Sequence, residues 1–183
     1  MTSIDPQEAA AALSDIDSVV RRVRQSTIYH LASLFLIMWG ALVFAGYLGS
    51  FLWPRASGYL WIAVDATGIA GWSLISAFAH ARSGMRTFDI RMLLAFLLFL
   101  AFGIFCSWLG HFSPRQMGTF WPVYFMLFYT VAGLWIGWAF VAIGLGIIAL
   151  TLVGYFFVGA FDLWMAFVNG GGLILGGLWM RRS

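Results

Sequence analysis

Residues 116–161 read QMGTFWPVYFMLFYTVAGLWIGWAFVAIGLGIIALTLVGYFFVGAF, a run of 46 residues without Asp, Glu, Lys or Arg. A hydrocarbon core of ~30 Å is crossed by about 20 residues of α-helix, so the run is too long for one crossing and the right length for two. It predicts a fourth membrane helix over 118–138 and a fifth over 141–160. The turn between them, at 137–141, carries neither charge nor the usual loop residues.

Gaps between charges set the remaining spans in the same way. Residues 28–53 are uncharged, 58–80 contain only Asp65, and 92–112 and 163–180 are uncharged again. The expected fold is therefore all-α, a polytopic membrane helix bundle of six transmembrane helices. Composition agrees: 62% of the 183 residues are apolar and 9% charged, against about half and a quarter in soluble domains. A soluble fold of this composition would expose large apolar patches, which a bilayer covers instead.

Arginine placement orients the bundle. Every basic residue is arginine. Arg21, Arg22, Arg24, Arg82, Arg86, Arg91, Arg181 and Arg182 fall on one side of a six-span arrangement, and only Arg55 and Arg115 fall on the other. The positive-inside rule makes the first side cytoplasmic and puts both termini there, in a bacterial inner membrane. Five spans would strand Arg181 and Arg182 outside. Trp53, Trp61, Trp108, Trp121 and Trp164 then mark the outer interface as an aromatic belt.

The chain divides into a cytoplasmic segment, 1–27, and a transmembrane domain, 28–183. In the segment, Asp5-Pro6-Gln7-Glu8 reads as a helix start with a capping box. Leu13, Ile16, Val20 and Val23 follow at spacings of three and four, a stripe on one face of an amphipathic helix that Arg21, Arg22 and Arg24 close. That helix is expected either on the membrane surface, with its arginines at anionic headgroups, or against a partner or a second copy. Asp5, Glu8, Asp15 and Asp17 precede any basic residue, and no short apolar core with a cleavage site follows. The segment does not read as a signal peptide, so the N-terminus is expected to be retained.

An internal repeat groups the spans. Gly58-Tyr-Leu-Trp61, Gly118-Thr-Phe-Trp121 and Phe161-Asp-Leu-Trp164 open the even helices. Gly71-Trp72, Gly133-Leu-Trp135 and Gly177-Leu-Trp179 lie towards their far ends. The reading is three like-oriented helical hairpins, with any pseudo-symmetry axis along the membrane normal.

Few residues could carry chemistry. Asp65 is the one formal charge inside a proposed span, and intramembrane charges are functional hypotheses by default. Trp61, Gly68 and Trp72 share its helical face, which is expected to point into the bundle. Asn169 lies at similar depth, and Tyr124 and Tyr129 could approach from the fourth helix, so the four outline a polar pocket for a proton, ion or small solute. The bland alternative is an Asp hydrogen-bonded to a neighbouring helix or tied towards Arg55. His30 and His80 fall near the cytoplasmic ends of adjacent helices, where two imidazoles could ligate a haem b iron. The Asn169-Gly170-Gly171-Gly172 run permits either a helix break or close packing, and Gly172/Gly176 and Gly133/Gly137 have small-xxx-small spacing. Cys106 stands alone and reads as a small buried hydrophobe.

Absences narrow the field further. No lysine is present for a Schiff base or a Ser-Lys dyad, and the chain has no His-Glu-x-x-His zinc pattern, no Gly-x-Ser-x-Gly elbow and no phosphate-binding glycine loop. No basic stripe exists to hold nucleic acid. No enzyme, no metal and no resident cofactor is expected. The opening Asp5-Pro6-Gln7-Glu8 helix, the Trp61-Ile-Ala-Val-Asp65 run and the Leu163-Trp164-Met165 to Arg181-Arg182 segment together resemble small bacterial inner-membrane proteins with about six helices. That resemblance implies no activity and no site residues. In architecture alone the hairpins resemble acid-resistance membrane proteins. The tryptophan-rich sensory proteins are set aside, because their proline-rich second-helix signature is missing.

The leading expectation is a non-enzymatic accessory subunit or self-associating scaffold, with lipid and a membrane-protein partner or a homo-oligomer as its contacts. A small carrier or channel centred on Asp65 comes second, and a haem- or pigment-binding subunit third.

Overall fold

The structure, a computed structural model, describes residues 6–83 and 90–182, with side chains at 15–16, 29–78, 81 and 94–182. Every regular element among the described residues is helical. In chain order they are α1 (Pro6–Leu52), a 3-10 turn (Pro54–Ala56), α2 (Ser57–Ser83), α3 (Ile90–Leu109), α4 (Pro114–Ile136), α5 (Trp138–Phe157), α6 (Phe161–Met165), a π-helical segment (Ala166–Gly171) and α7 (Gly172–Met180). The last three run on as one span, Phe161–Met180.

Five stretches of the described residues are long and apolar enough to cross a membrane: Tyr29–Leu52, Pro54–Phe78, Pro114–Ile136, Trp138–Phe157 and Phe161–Met180. The apolar part of α3, Leu94–Leu109, is shorter, although the helix itself has 20 residues, or ~30 Å of rise. The chain is a helical membrane protein.

Two local expectations are corrected. The N-terminal segment and the first span are one helix: α1 runs 47 residues from Pro6 without a break. No glycine or proline lies between Gln7 and Trp39 to stop it. Asp5 lies outside the described residues, as do the side chains of Leu13, Val20, Val23, Arg21, Arg22, Arg24, Arg82, Arg86 and Arg91. The uncharged turn is also tighter than five residues. Gly137 alone joins α4 to α5, at φ 154° and ψ 158°, a region essentially reserved for glycine.

The pairs α1–α2, α3–α4, α4–α5 and α5–last span pack antiparallel. On α1, Gly46 faces Trp61 and Val64 of α2, and Trp39 and Met38 lie against Gly68 and Gly71. The Tyr124 hydroxyl on α4 donates to the Phe99 carbonyl of α3 at 2.8 Å. From the Gly137 turn, Gly133 meets Phe140 and Val141, and Gly144 meets Thr130. Gly172 and Gly176 face Ile147 and Ile143 of α5. Thus Gly172 and Gly176 serve packing as their spacing suggested, whereas Gly137 is spent on the turn.

The last span closes the bundle against the first. Gly40 and Gly170 come so near that a Cβ on Gly40 would stand 2.8 Å from the Gly170 carbonyl oxygen. The buried Ser33 hydroxyl donates to the Gly177 carbonyl at 2.8 Å. Ser33 is near the start of the first span and Gly177 near the end of the last, so the chain enters and leaves at one end of the bundle. One buried cluster, including Leu36, Met126, Phe140, Ile143, Ile147 and Met180, fills that half. A second, Tyr47, Phe161, Met165 and Ala166, fills the other. Outward faces carry large apolar side chains such as Ile62, Leu98, Phe128 and Leu175, as a bundle solvated by lipid requires. Trp53 and Trp108 are exposed at one end, and Trp135 and Trp138 flank Gly137 at the other.

Candidate functional site

Three consecutive glycines, Gly170 to Gly172, weaken the helical preference of the last span. There the backbone widens into the π-helical segment Ala166–Gly171, a feature that often marks functional positions. Asn169 sits inside this segment, only 3% exposed, and its Nδ2 has no hydrogen-bond partner. Across from it, Gly154 of α5 lies against Trp164, and Ile147 against Gly172. That antiparallel register puts Thr151 level with the Val168–Asn169 turn. Thr151 is fully buried, and its Oγ1 is likewise without a partner.

Several helical hydroxyls bond the backbone of their own helix, Thr119 to the Arg115 carbonyl, Thr130 to Met126 and Ser73 to Ile69, and Ser33 bonds the Gly177 carbonyl of the last span. Thr151 does neither. Two unpaired polar groups in an apolar core oppose folding, each by about 1–3 kcal/mol on the scale of protein mutations. Asn169 brings an amide donor to this level of the bundle and Thr151 a hydroxyl. Among the described residues no three His, Cys, Asp or Glu side chains gather in a way that could hold a metal ion.

Nearer the opposite end from Ser33 and Gly177, the backbone is tied by side chains. Pro122 is buried inside α4 and has no N–H to donate to the Gly118 carbonyl one turn back. The Tyr47 hydroxyl of α1 fills that role at 2.6 Å. Arg115 donates to the carbonyls of Gly154, Tyr155 and Val158 at 3.1, 2.8 and 2.7 Å. The Tyr155 and Val158 carbonyls lie beyond the reach of a further helical turn, whereas the Gly154 carbonyl also accepts from the Val158 N–H at 3.2 Å. Its guanidinium also lies over the Phe161 ring at 4.9 Å and the Tyr155 ring at 5.7 Å. Sequence reasoning did not find Thr151 or these roles of Tyr47 and Arg115. The one signal available was Pro122, which must orphan a carbonyl in α4.

The residues singled out from sequence are dispersed. Asp65 is exposed on α2, whose buried positions are Val64 and Gly68, and Trp72 of the same expected face is exposed as well. Asn169 is buried as expected. Tyr124 stacks on Phe99 at 4.0 Å, and Tyr129 packs on Phe140 at 4.7 Å and reaches the Met180 sulfur at 3.9 Å. The four therefore serve separate neighbourhoods rather than one pocket. His30 is exposed on α1. The backbone of His80 comes level with it on α2, and the His80 side chain lies outside the described residues. No protein-family model, no curated protein and no solved structure matches the chain.

Proposed function

We propose that this chain is a non-enzymatic integral membrane protein that works by association, as an accessory subunit or a self-associating scaffold of a membrane complex. The observation that carries the reading is Asp65. It stands on an exposed face of α2, inside the stretch Pro54–Phe78, and among the described residues the only helix packed extensively on α2 is α1. Exposed Ile62 and Ile69 flank it. A carboxylate at such a depth costs about 2.5–3.5 kcal/mol facing lipid, and a neighbouring helix that brings a donor or a cation removes much of that cost. The accompanying expectation of an inner membrane with both ends cytoplasmic rests on the arginine distribution.

The test is native mass measurement after extraction in mild detergent. The expected species is larger than the 20.3 kDa chain, and Asp65→Leu reduces the partner or self-contact without loss of expression. A stable lone monomer for the wild type overturns the reading.

A second reading, a carrier or channel for a small polar solute, draws on the unpaired Thr151 and Asn169 rather than on Asp65. Asn169→Leu then abolishes flux in proteoliposomes while the fold gains stability. Equal flux in wild type and variant removes it. The third, haem b between His30 and His80, is decided by the visible spectrum of the purified protein: a colourless preparation that haem cannot reconstitute ends it.

A further inference from the structure

Asn169 and Thr151 hold buried polar atoms that no protein group satisfies. Such atoms in folded chains nearly always have a partner, and where the protein supplies none an internal water does. Thr151 lies one turn beyond Ile147 on α5, so the two share a face. On the last span Gly172 lies one turn beyond Asn169, and its N–H bonds the Val168 and Asn169 carbonyls. Ile147 stands against Gly172. The antiparallel register therefore closes a four-cornered layer, with Asn169 and Thr151 along one edge and Gly172 and Ile147 along the other.

That layer has room for one small molecule. Gly170 and Gly176, to either side along the last span, are sealed: an added Cβ would stand 2.5 Å from Phe44 at the first and 2.9 Å from Ile143 at the second. At Gly172 it would stand 3.3 and 3.5 Å from the Ile147 side chain, close to an ordinary contact. A space of about one methyl group therefore lies between α5 and the last span, beside Asn169 and Thr151. It is the size of a water molecule and too small for a larger solute. Its polar neighbours are an amide donor and a hydroxyl, which give a cation no carboxylate to balance it. Water both donates and accepts, so it serves both groups at once.

We propose that a single internal water occupies this space, accepting from Asn169 Nδ2 and donating to Thr151 Oγ1, and so links the last span to α5. Two polar partners are the fewest that hold a buried water. Water entering a helix ladder is also among the causes of local distortion, and the π-helical segment Ala166–Gly171 lies at this same level. The water is independent of the association reading. It is opposed to the carrier reading, in which the pair waits for a solute and Asn169→Leu adds stability. Where a water is held, Asn169→Leu leaves Thr151 alone and removes stability.

Asn169 is the only asparagine in the chain, so isotopic labelling of the asparagine side-chain nitrogen marks one amide for magnetic resonance. In the full chain in detergent, that amide should show a cross-relaxation peak at the water frequency with the sign of a held water. The peak should disappear in Gly172→Ala, whose methyl takes the water's place. Gly171→Ala is the control, because Gly171 has open space beside it. Both glycines have right-handed helical backbone, so alanine brings each the same gain in helix propensity. Gly171→Ala should hold or raise the thermal midpoint, whereas Gly172→Ala should lower it by several degrees. That loss should shrink in a Thr151→Val chain, where the water already lacks a partner. An empty space gives the opposite sign, since alanine would fill it and raise the midpoint, and that result overturns the proposal. No water peak in the wild type overturns it whatever the variants do, as does a peak that survives both Gly172→Ala and Thr151→Val. If Gly172→Ala does not fold, the wild-type peak and its loss in Thr151→Val decide. The association reading stands in every case.

Discussion

Single residues decide where this bundle departs from ideal helices. Pro122 leaves the Gly118 carbonyl without a helical donor, and Tyr47 supplies one from the neighbouring helix at 2.6 Å. Tyr47→Phe should lower stability by about 1–2 kcal/mol, within the range for interhelical hydrogen bonds in membranes. The check is a double-mutant cycle by thermal unfolding in detergent. Because Pro122→Ala restores the missing N–H, the cost of Tyr47→Phe should largely vanish in that background, and an unchanged cost would show that the bond does not serve the proline. Gly137 is the second such position. An alanine there must adopt φ 154°, so Gly137→Ala should cost about 1–3 kcal/mol or force the turn to lengthen. A midpoint equal to wild type would contradict that. Of these features, only Pro122 announces itself in the sequence. The choice of Tyr47 as its partner depends on which helix lies beside α4.

Among elements, α5 and the last span carry the polar features and α2 the exposed one. Arg115 closes α5 by donating to three carbonyls at its end, two of which lie past the last helical donor, and hydrogen bonds to a charged group are worth about 1.5–3 kcal/mol relative to their loss. Arg115→Met, which keeps the packing bulk, should lower the thermal midpoint and speed hydrogen exchange in the last turn of α5 more than elsewhere. Uniform exchange changes would argue against a capping role. Element existence was legible throughout, since hydropathy and charge gaps mark each span. Boundaries were less so: the α4–α5 turn shrank to Gly137, and the N-terminal helix fused with the first span. Both reflect local backbone chemistry. One glycine in a conformation closed to other residues replaces a loop, and a stretch without helix breakers lets α1 continue.

For the whole molecule, contacts between the first and last spans put both ends of the membrane domain together. Cysteines placed at Ser3 and Ser183 should therefore react with an impermeant thiol reagent from the same side of oriented vesicles, in a Cys106→Ser chain. Labelling from opposite sides would mean an odd number of crossings. The same packing scatters the residues that sequence depth had grouped. Asp65 and Asn169 are at comparable depth, yet one faces outward from α2 and the other lies in the core between α1 and α5. Depth follows from counting residues along a helix. Azimuth depends on which neighbours pack where.

The sequence by itself determined that the chain is a helical membrane protein, because 62% apolar residues in long uncharged runs admit few other solutions. It also marked Asn169 and Asp65 as the polar residues to explain. Only the tertiary structure decided which of them is buried. It added Thr151, buried and without a hydrogen-bond partner, level with Asn169. Lipid is as apolar as leucine, so hydropathy cannot tell a helix face that meets lipid from one that meets another helix. That distinction exists only once the helices are packed.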